Sequence, residues 1–85
     1  MHKGDIILNL WASKDNPARI SIIKHIGAVY TTAYYECKGN LTTCQFYTRE
    51  LKKDQEHFKI IDHLDYEKPI RDRLKLWKRS DTNDR

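Results

Sequence analysis

Val29-Tyr30-Thr31-Thr32-Ala33-Tyr34-Tyr35-Glu36-Cys37, then Lys38-Gly39-Asn40, then Leu41-Thr42-Thr43-Cys44-Gln45-Phe46-Tyr47-Thr48, is the stretch that decides the fold class. Both halves are rich in β-branched and aromatic side chains, which fit a pleated, half-buried surface. A glycine-containing turn joins them, so they form an antiparallel hairpin. With Gly39-Asn40 as a two-residue loop, Cys37 faces Thr42 and Cys44 faces Tyr35. The two thiols then form a diagonal pair about 7 Å apart or more, wider than the about 5.5–6 Å that a disulfide prefers. Reduced cysteines and a reducing compartment are expected.

Working outward toward the N-terminus, Arg19–Ile26 is a strand with Ile20, Ile22 and Ile26 on one side. Arg19, Ser21, Ile23 and His25 lie on the other, and Gly27 ends it. Before it, Ser13-Lys14-Asp15-Asn16-Pro17 is a dense cluster of turn formers. Asp5–Trp11 alternates Ile6, Leu8 and Leu10 with Ile7, Asn9 and Trp11. Apolar residues on both sides imply cover on both faces, with Trp11 a plug at the end of the core.

Toward the C-terminus, Arg49–His57 is polar and suits a helical turn or an exposed loop. Phe58-Lys59-Ile60-Ile61 is a short last strand. Pro69 then opens a helix, where its missing N–H is not needed. Ile70, Leu74 and Trp77 fall at i, i+4 and i+7, one apolar stripe. The expected fold is mainly β with one C-terminal helix: a small five-stranded SH3-like barrel or a strongly bent antiparallel sheet. Residues 1–65 form the barrel, 66–79 a basic amphipathic helix packed on it, and 80–85 a frayed tail. At 85 residues there is room for one core.

The net charge of +4 is localised. Residues 1–65 hold nine Lys/Arg against eight Asp/Glu, whereas 66–79 hold six against two. No run approaches the roughly 18 apolar residues needed to span a bilayer, and Ile6-Ile7-Leu8 is too short for a signal-peptide core. A soluble cytoplasmic protein with no membrane partner is expected.

Arg71, Arg73, Lys75, Lys78 and Arg79 interleave with an apolar stripe and face an anionic partner, or else form only the solvated side of a docked helix. Tyr30, Tyr34 and Tyr35 concentrate aromatic surface in the hairpin, with Tyr30 and Tyr34 on one side and Tyr35 on the other. Exposed rings beside cations stack single-stranded nucleic acid and are enriched in protein interfaces; buried rings simply fill a small core. His57 and His63 flank the last strand at the same parity, so a shared face is available to them. A base, an acid and the Arg49 cation can in principle cut RNA, yet no nucleophile motif is present. Cys37, Cys44, His57 and His63 lack zinc-site spacing, so no metal or cofactor is expected.

Gly4-Asp5-Ile6-Ile7, Asn9, Trp11-Ala12-Ser13, Asn16-Pro17 and Arg19 resemble the opening of a family of short proteins carried by bacteriophages and other mobile elements. The resemblance covers the first quarter of the chain and lends no catalytic residues. It implies a setting rich in small accessory proteins, among them anti-CRISPR inhibitors that bind a host nuclease complex. The expected function is therefore non-enzymatic: binding and inhibition of a nucleic-acid-handling defence effector by occlusion. Direct nucleic-acid binding by the same surface is the alternative, and a small ribonuclease toxin using His57 or His63 is the second.

Overall fold

The hairpin closes one residue earlier than expected. In the computed structural model, which describes residues 1–66 and 68–83, Cys37 pairs with Asn40, so the two-residue turn is Lys38-Gly39. Both residues have positive φ, 53° and 86°, as a turn matched to the right-handed strand twist requires. Glycine takes that conformation freely, whereas Lys38 is a non-glycine residue in the left-handed region. Gly39 N–H donates to Glu36 Oε2 at 2.6 Å and secures the turn. The shift places Cys44 opposite Ala33 and Thr42 opposite Tyr35, and both cysteines are free.

Five strands, β1 (Asp5–Asn9), β2 (Ile20–Ile26), β3 (Tyr30–Cys37), β4 (Asn40–Tyr47) and β5 (Phe58–His63), form one antiparallel sheet in the order β4-β3-β2-β1-β5. The sheet does not close, so the barrel form is corrected to the bent open sheet, with β4 and β5 as its edges. Breaks in register lie between Ile6 and Ile7 against β5 and between Ile23 and His25 against β3. Such bulges bend a sheet and sharpen its twist. The second break also reverses the expected alternation in β2. Ile26 pairs with Thr31 on the Ile23 side, and His25 pairs with Thr32 on the Ile22 side.

Two helices cover the two faces. The six-residue α1 (Thr48–Lys53) buries Leu51 against Ile7, Ile23 and Phe58, with Phe46 and Ile26 at the margin. The longer α2 (Ile70–Asn83) buries Leu74 against Ile6, Ile20, Ile22 and Leu64, flanked by Ile70, Trp77, Tyr34 and Tyr66. The stripe of Ile70, Leu74 and Trp77 is thus the inner face of α2. Ile6, Ile7, Ile22 and Ile23 are fully buried, each contributing about 1.5–3 kcal/mol of hydrophobic stabilisation.

Helix α2 starts one residue after Pro69, whose carbonyl accepts from Arg73 N–H at 3.3 Å. It also outlasts the expected end at Arg79, because Ser80 and Asp81 continue it to Asn83. Asp81 Oδ2 accepts from Arg19 Nε at 2.9 Å, and Lys14 Nζ reaches the Asp81 carbonyl at 3.2 Å. Those two bonds tie the last turn to the loop before β2, so the tail is not frayed there. Its final two residues, Asp84 and Arg85, lie outside the described residues.

Candidate binding surface

Two of the five helix cations are engaged with acids on the sheet. Arg73 Nη1 donates to Asp62 Oδ2 at 2.6 Å, and the same oxygen accepts from Trp77 Nε1 at 2.9 Å. The indole and guanidinium bonds hold the Asp62 carboxyl below its ordinary value of 3.8. Lys78 Nζ donates to Glu36 Oε1 at 3.0 Å and to the Glu36 carbonyl at 2.9 Å. The Gly39 N–H bond, followed by Lys78, likewise keeps the buried Glu36 carboxyl below its ordinary 4.5. Arg71 reaches the Gly39 carbonyl at 2.8 Å from an exposed position. Lys75 and Arg79 are exposed, and Lys75 lies close enough to Glu36 to help depress its pKa.

These bonds clamp α2 onto the hairpin turn at one side of the sheet and onto β5 at the other. Cations close to acids in such clamps serve the fold. What remains outward on the hairpin side is a basic margin of Lys38, Lys68, Arg71 and Lys75, all exposed.

The hairpin tyrosines divide three ways. Tyr34 is half-buried beside α2, tilted against Tyr66 with centroids 6.4 Å apart and with Lys24 Nζ 5.1 Å from its own centroid. Tyr66 donates its hydroxyl to the Ile23 carbonyl, and burial pushes its pKa up to about 12. Tyr34 is therefore part of the helix-side core. Tyr35 is half-buried on the opposite face. Tyr30 alone of the three is exposed, at 47%, stacked at 5.2 Å on Tyr47, which is 53% exposed. The Tyr30–Tyr47 pairing follows from the corrected register, so the hairpin composition alone does not bring Tyr47 forward.

Tyr30 and Tyr47 mark one end of a bare half-face. On the side that α2 covers elsewhere, β4 presents Leu41, Thr43, Gln45 and Tyr47, all exposed, and Thr32 of β3 is half-buried beside them. At the other end the start of β4 borders a cleft of about 470 Å³, lined by Leu41, Lys68, Pro69, Ile70 and Arg71 among others. The arrangement is a neutral floor with an aromatic pair at one end and, along the helix margin, cations interrupted by the exposed Asp72.

The histidines do not come together. His57 and His63 stand at opposite ends of β5, roughly 20 Å apart along six residues. His63 Nδ1 lies 2.7 Å from Asp5 Oδ1. His57 Nδ1 lies 2.8 Å from Asp54 Oδ1, while Trp11 Nε1 donates to Asp54 Oδ2 at 2.7 Å. The His57 and Trp11 bonds lower the Asp54 carboxyl. Trp11 stacks on His57 with centroids 4.0 Å apart and is 66% exposed. It caps the surface rather than plugging the core. The Trp11–Asp54–His57 group joins residues 43 positions apart and carries no local sequence signal.

Among the described residues, no three His, Cys, Asp or Glu side chains gather as a metal site requires, and no helix is long and apolar enough to cross a membrane. Comparison with known proteins gives no match: no family model fits the chain, and no curated protein or solved structure is detectably similar.

Proposed function

We propose that this is a non-enzymatic, phage-type accessory protein that binds a nucleic-acid-handling defence effector and inhibits it by occlusion, as an anti-CRISPR protein does. The observation that supports this reading best is the bare β3–β4 half-face, with its Tyr30–Tyr47 pair and basic margin of Lys38, Lys68, Arg71 and Lys75. Tyrosine supplies large, amphipathic contact area and recurs at interface hot spots. The marginal cations would steer the protein to an acidic rim or to nucleic acid already held by the effector. The chain's positive charge points away from mimicry of nucleic acid, leaving steric blockade as the mechanism. The test is cleavage of target DNA by purified CRISPR nuclease complexes with and without the protein. Cleavage that stops with the wild type and resumes with Tyr30→Ser/Tyr47→Ser supports the reading; undisturbed cleavage across the complexes refutes it.

A second reading, direct nucleic-acid binding, is favoured by the same stacked pair, since exposed rings beside cations are a stacking platform for single strands. Fluorescence anisotropy with labelled duplex DNA, single-stranded DNA and RNA separates it from the first. Direct binding requires affinity that falls steeply with salt, with a slope set by the phosphates contacted. Absence of binding at low salt leaves the protein partner.

A further inference from the structure

The two edges of the sheet are built differently, and the difference points to an occupant. An edge strand offers unpaired N–H and C=O groups to any other strand, and proteins blunt such edges with charges, bulges and short lengths. Strand β5 is blunted in all three ways: six residues, a register break opposite Ile6 and Ile7, and Lys59, Asp62 and His63 along it. Strand β4 has none of these. It runs eight residues in unbroken register and carries no charged residue and no proline.

The pairing pattern shows which backbone groups β4 leaves open. A two-residue turn is closed by a hydrogen-bonded pair, here Cys37 and Asn40, and such pairs recur at every second residue. The phase is confirmed at the far end, where Thr48 N–H donates to the Val29 carbonyl at 2.9 Å. Asn40, Thr42, Cys44 and Phe46 therefore turn their backbone groups inward to β3. Leu41, Thr43, Gln45 and Tyr47 turn theirs outward. Their side chains lie on the bare half-face and are all exposed.

We propose that β4 pairs antiparallel with β4 of a second copy of this chain, forming a twofold dimer with one continuous sheet. One register uses every outward group: Leu41 opposite Tyr47 of the second copy, Thr43 opposite Gln45, and Cys44 on the axis. A twofold contact must be self-complementary, and the run Leu41–Tyr47 is so about Cys44. It carries no charge, so two molecules of net charge +4 meet along β4 without opposing like charges. The register also brings the exposed Tyr47 of each copy beside Leu41 of the other, at the mouth of the 470 Å³ cleft against Pro69 and Ile70. Each copy thus supplies one projecting ring and one recess. Because strands join edge to edge, the bare half-faces stay open and merge into one platform of four strands.

Sedimentation velocity from micromolar to hundreds of micromolar protein tests the dimer. The wild type is expected to move toward twice the 10.2 kDa chain mass as concentration rises. Thr43→Pro removes an outward N–H that the β3–β4 ladder does not use, and proline is tolerated on edge strands for that reason. Gln45→Lys adds a charge to each copy beside the axis and leaves the backbone intact, so it decides the matter if the proline variant fails to fold. Monomer in either folded variant, against dimer in the wild type, supports the proposal. A wild type that stays monomeric throughout, or a dimer that survives both substitutions, overturns it.

Discussion

The half of the sheet around β1 and β5 and the half around β3 and β4 are built from similar β-forming residues but finished differently. On the helix-covered face of the first half, Leu74 of α2 is fully buried against Ile6 and Leu64, and Asp62 gathers the indole of Trp77 and the guanidinium of Arg73. The second half meets the same helix through Tyr34 and through the clamp of Glu36, Lys78 and Arg71 at its turn. Beyond those contacts the helix-side face is bare along β4 and at Tyr30. A small domain buries only about 60% of its unfolded surface, so packing α2 closely on one half leaves less to cover the other. On the proposed function, stability and binding fall in separate regions, and substitutions in the two should behave in separable ways.

The largest effect should come from Leu74→Ala. It empties the centre of the helix-side core and is expected to cost about 2–5 kcal/mol, measured by urea unfolding. Tyr47→Ser on the bare half should change stability by no more than about 0.5 kcal/mol, as surface substitutions usually do. Equal losses at the two sites would erase the distinction between the halves.

Asp62→Ala should follow. It leaves Trp77 Nε1 and Arg73 without their shared acceptor, and bonds to a charged group contribute about 1.5–3 kcal/mol. The same unfolding assay reads it. Smaller again is the response to acid. Glu36 and Asp62 both have folded pKa values below their unfolded ones, 4.5 and 3.8. Their contribution is fully present above those unfolded values and is lost as pH falls through the folded ones. The melting temperature should therefore hold near neutrality and decline below about pH 4.5. Glu36→Gln should flatten the upper part of that decline. Among the substitutions expected to destabilise the fold, Gly39→Ala has the smallest effect. Nothing stands within 4 Å of a Cβ there, so only the positive φ resists, at about 1 kcal/mol.

The same contrast governs how far the sequence can be read. The hairpin is legible because β-branched and aromatic residues crowd Val29–Cys37 and Leu41–Thr48 on either side of one turn. Its register is not, because Gly39 fits either turn position and nothing local announces a left-handed Lys38. The bulge after Ile23 has no composition of its own, so the faces assigned to His25 and Ile26 exchange. The apolar stripe of α2 is visible at helical spacing. The roles of its cations are not, because Arg73 and Lys78 are engaged by Asp62 and Glu36, 11 and 42 residues away. Tyr47 acquires its place only through pairing with Tyr30, and closure of the sheet depends on whether β4 meets β5 in space.

The most direct measurement is DNA cleavage by a purified CRISPR nuclease complex in the presence of wild-type protein, Tyr30→Ser/Tyr47→Ser, and Lys59→Ser on β5. Inhibition by the wild type and by Lys59→Ser, lost in the folded tyrosine variant, is the expected result, because it puts binding on the bare half. Inhibition that survives the tyrosine substitutions but fails with Lys59→Ser would put the working surface on the other edge and contradict the assignment.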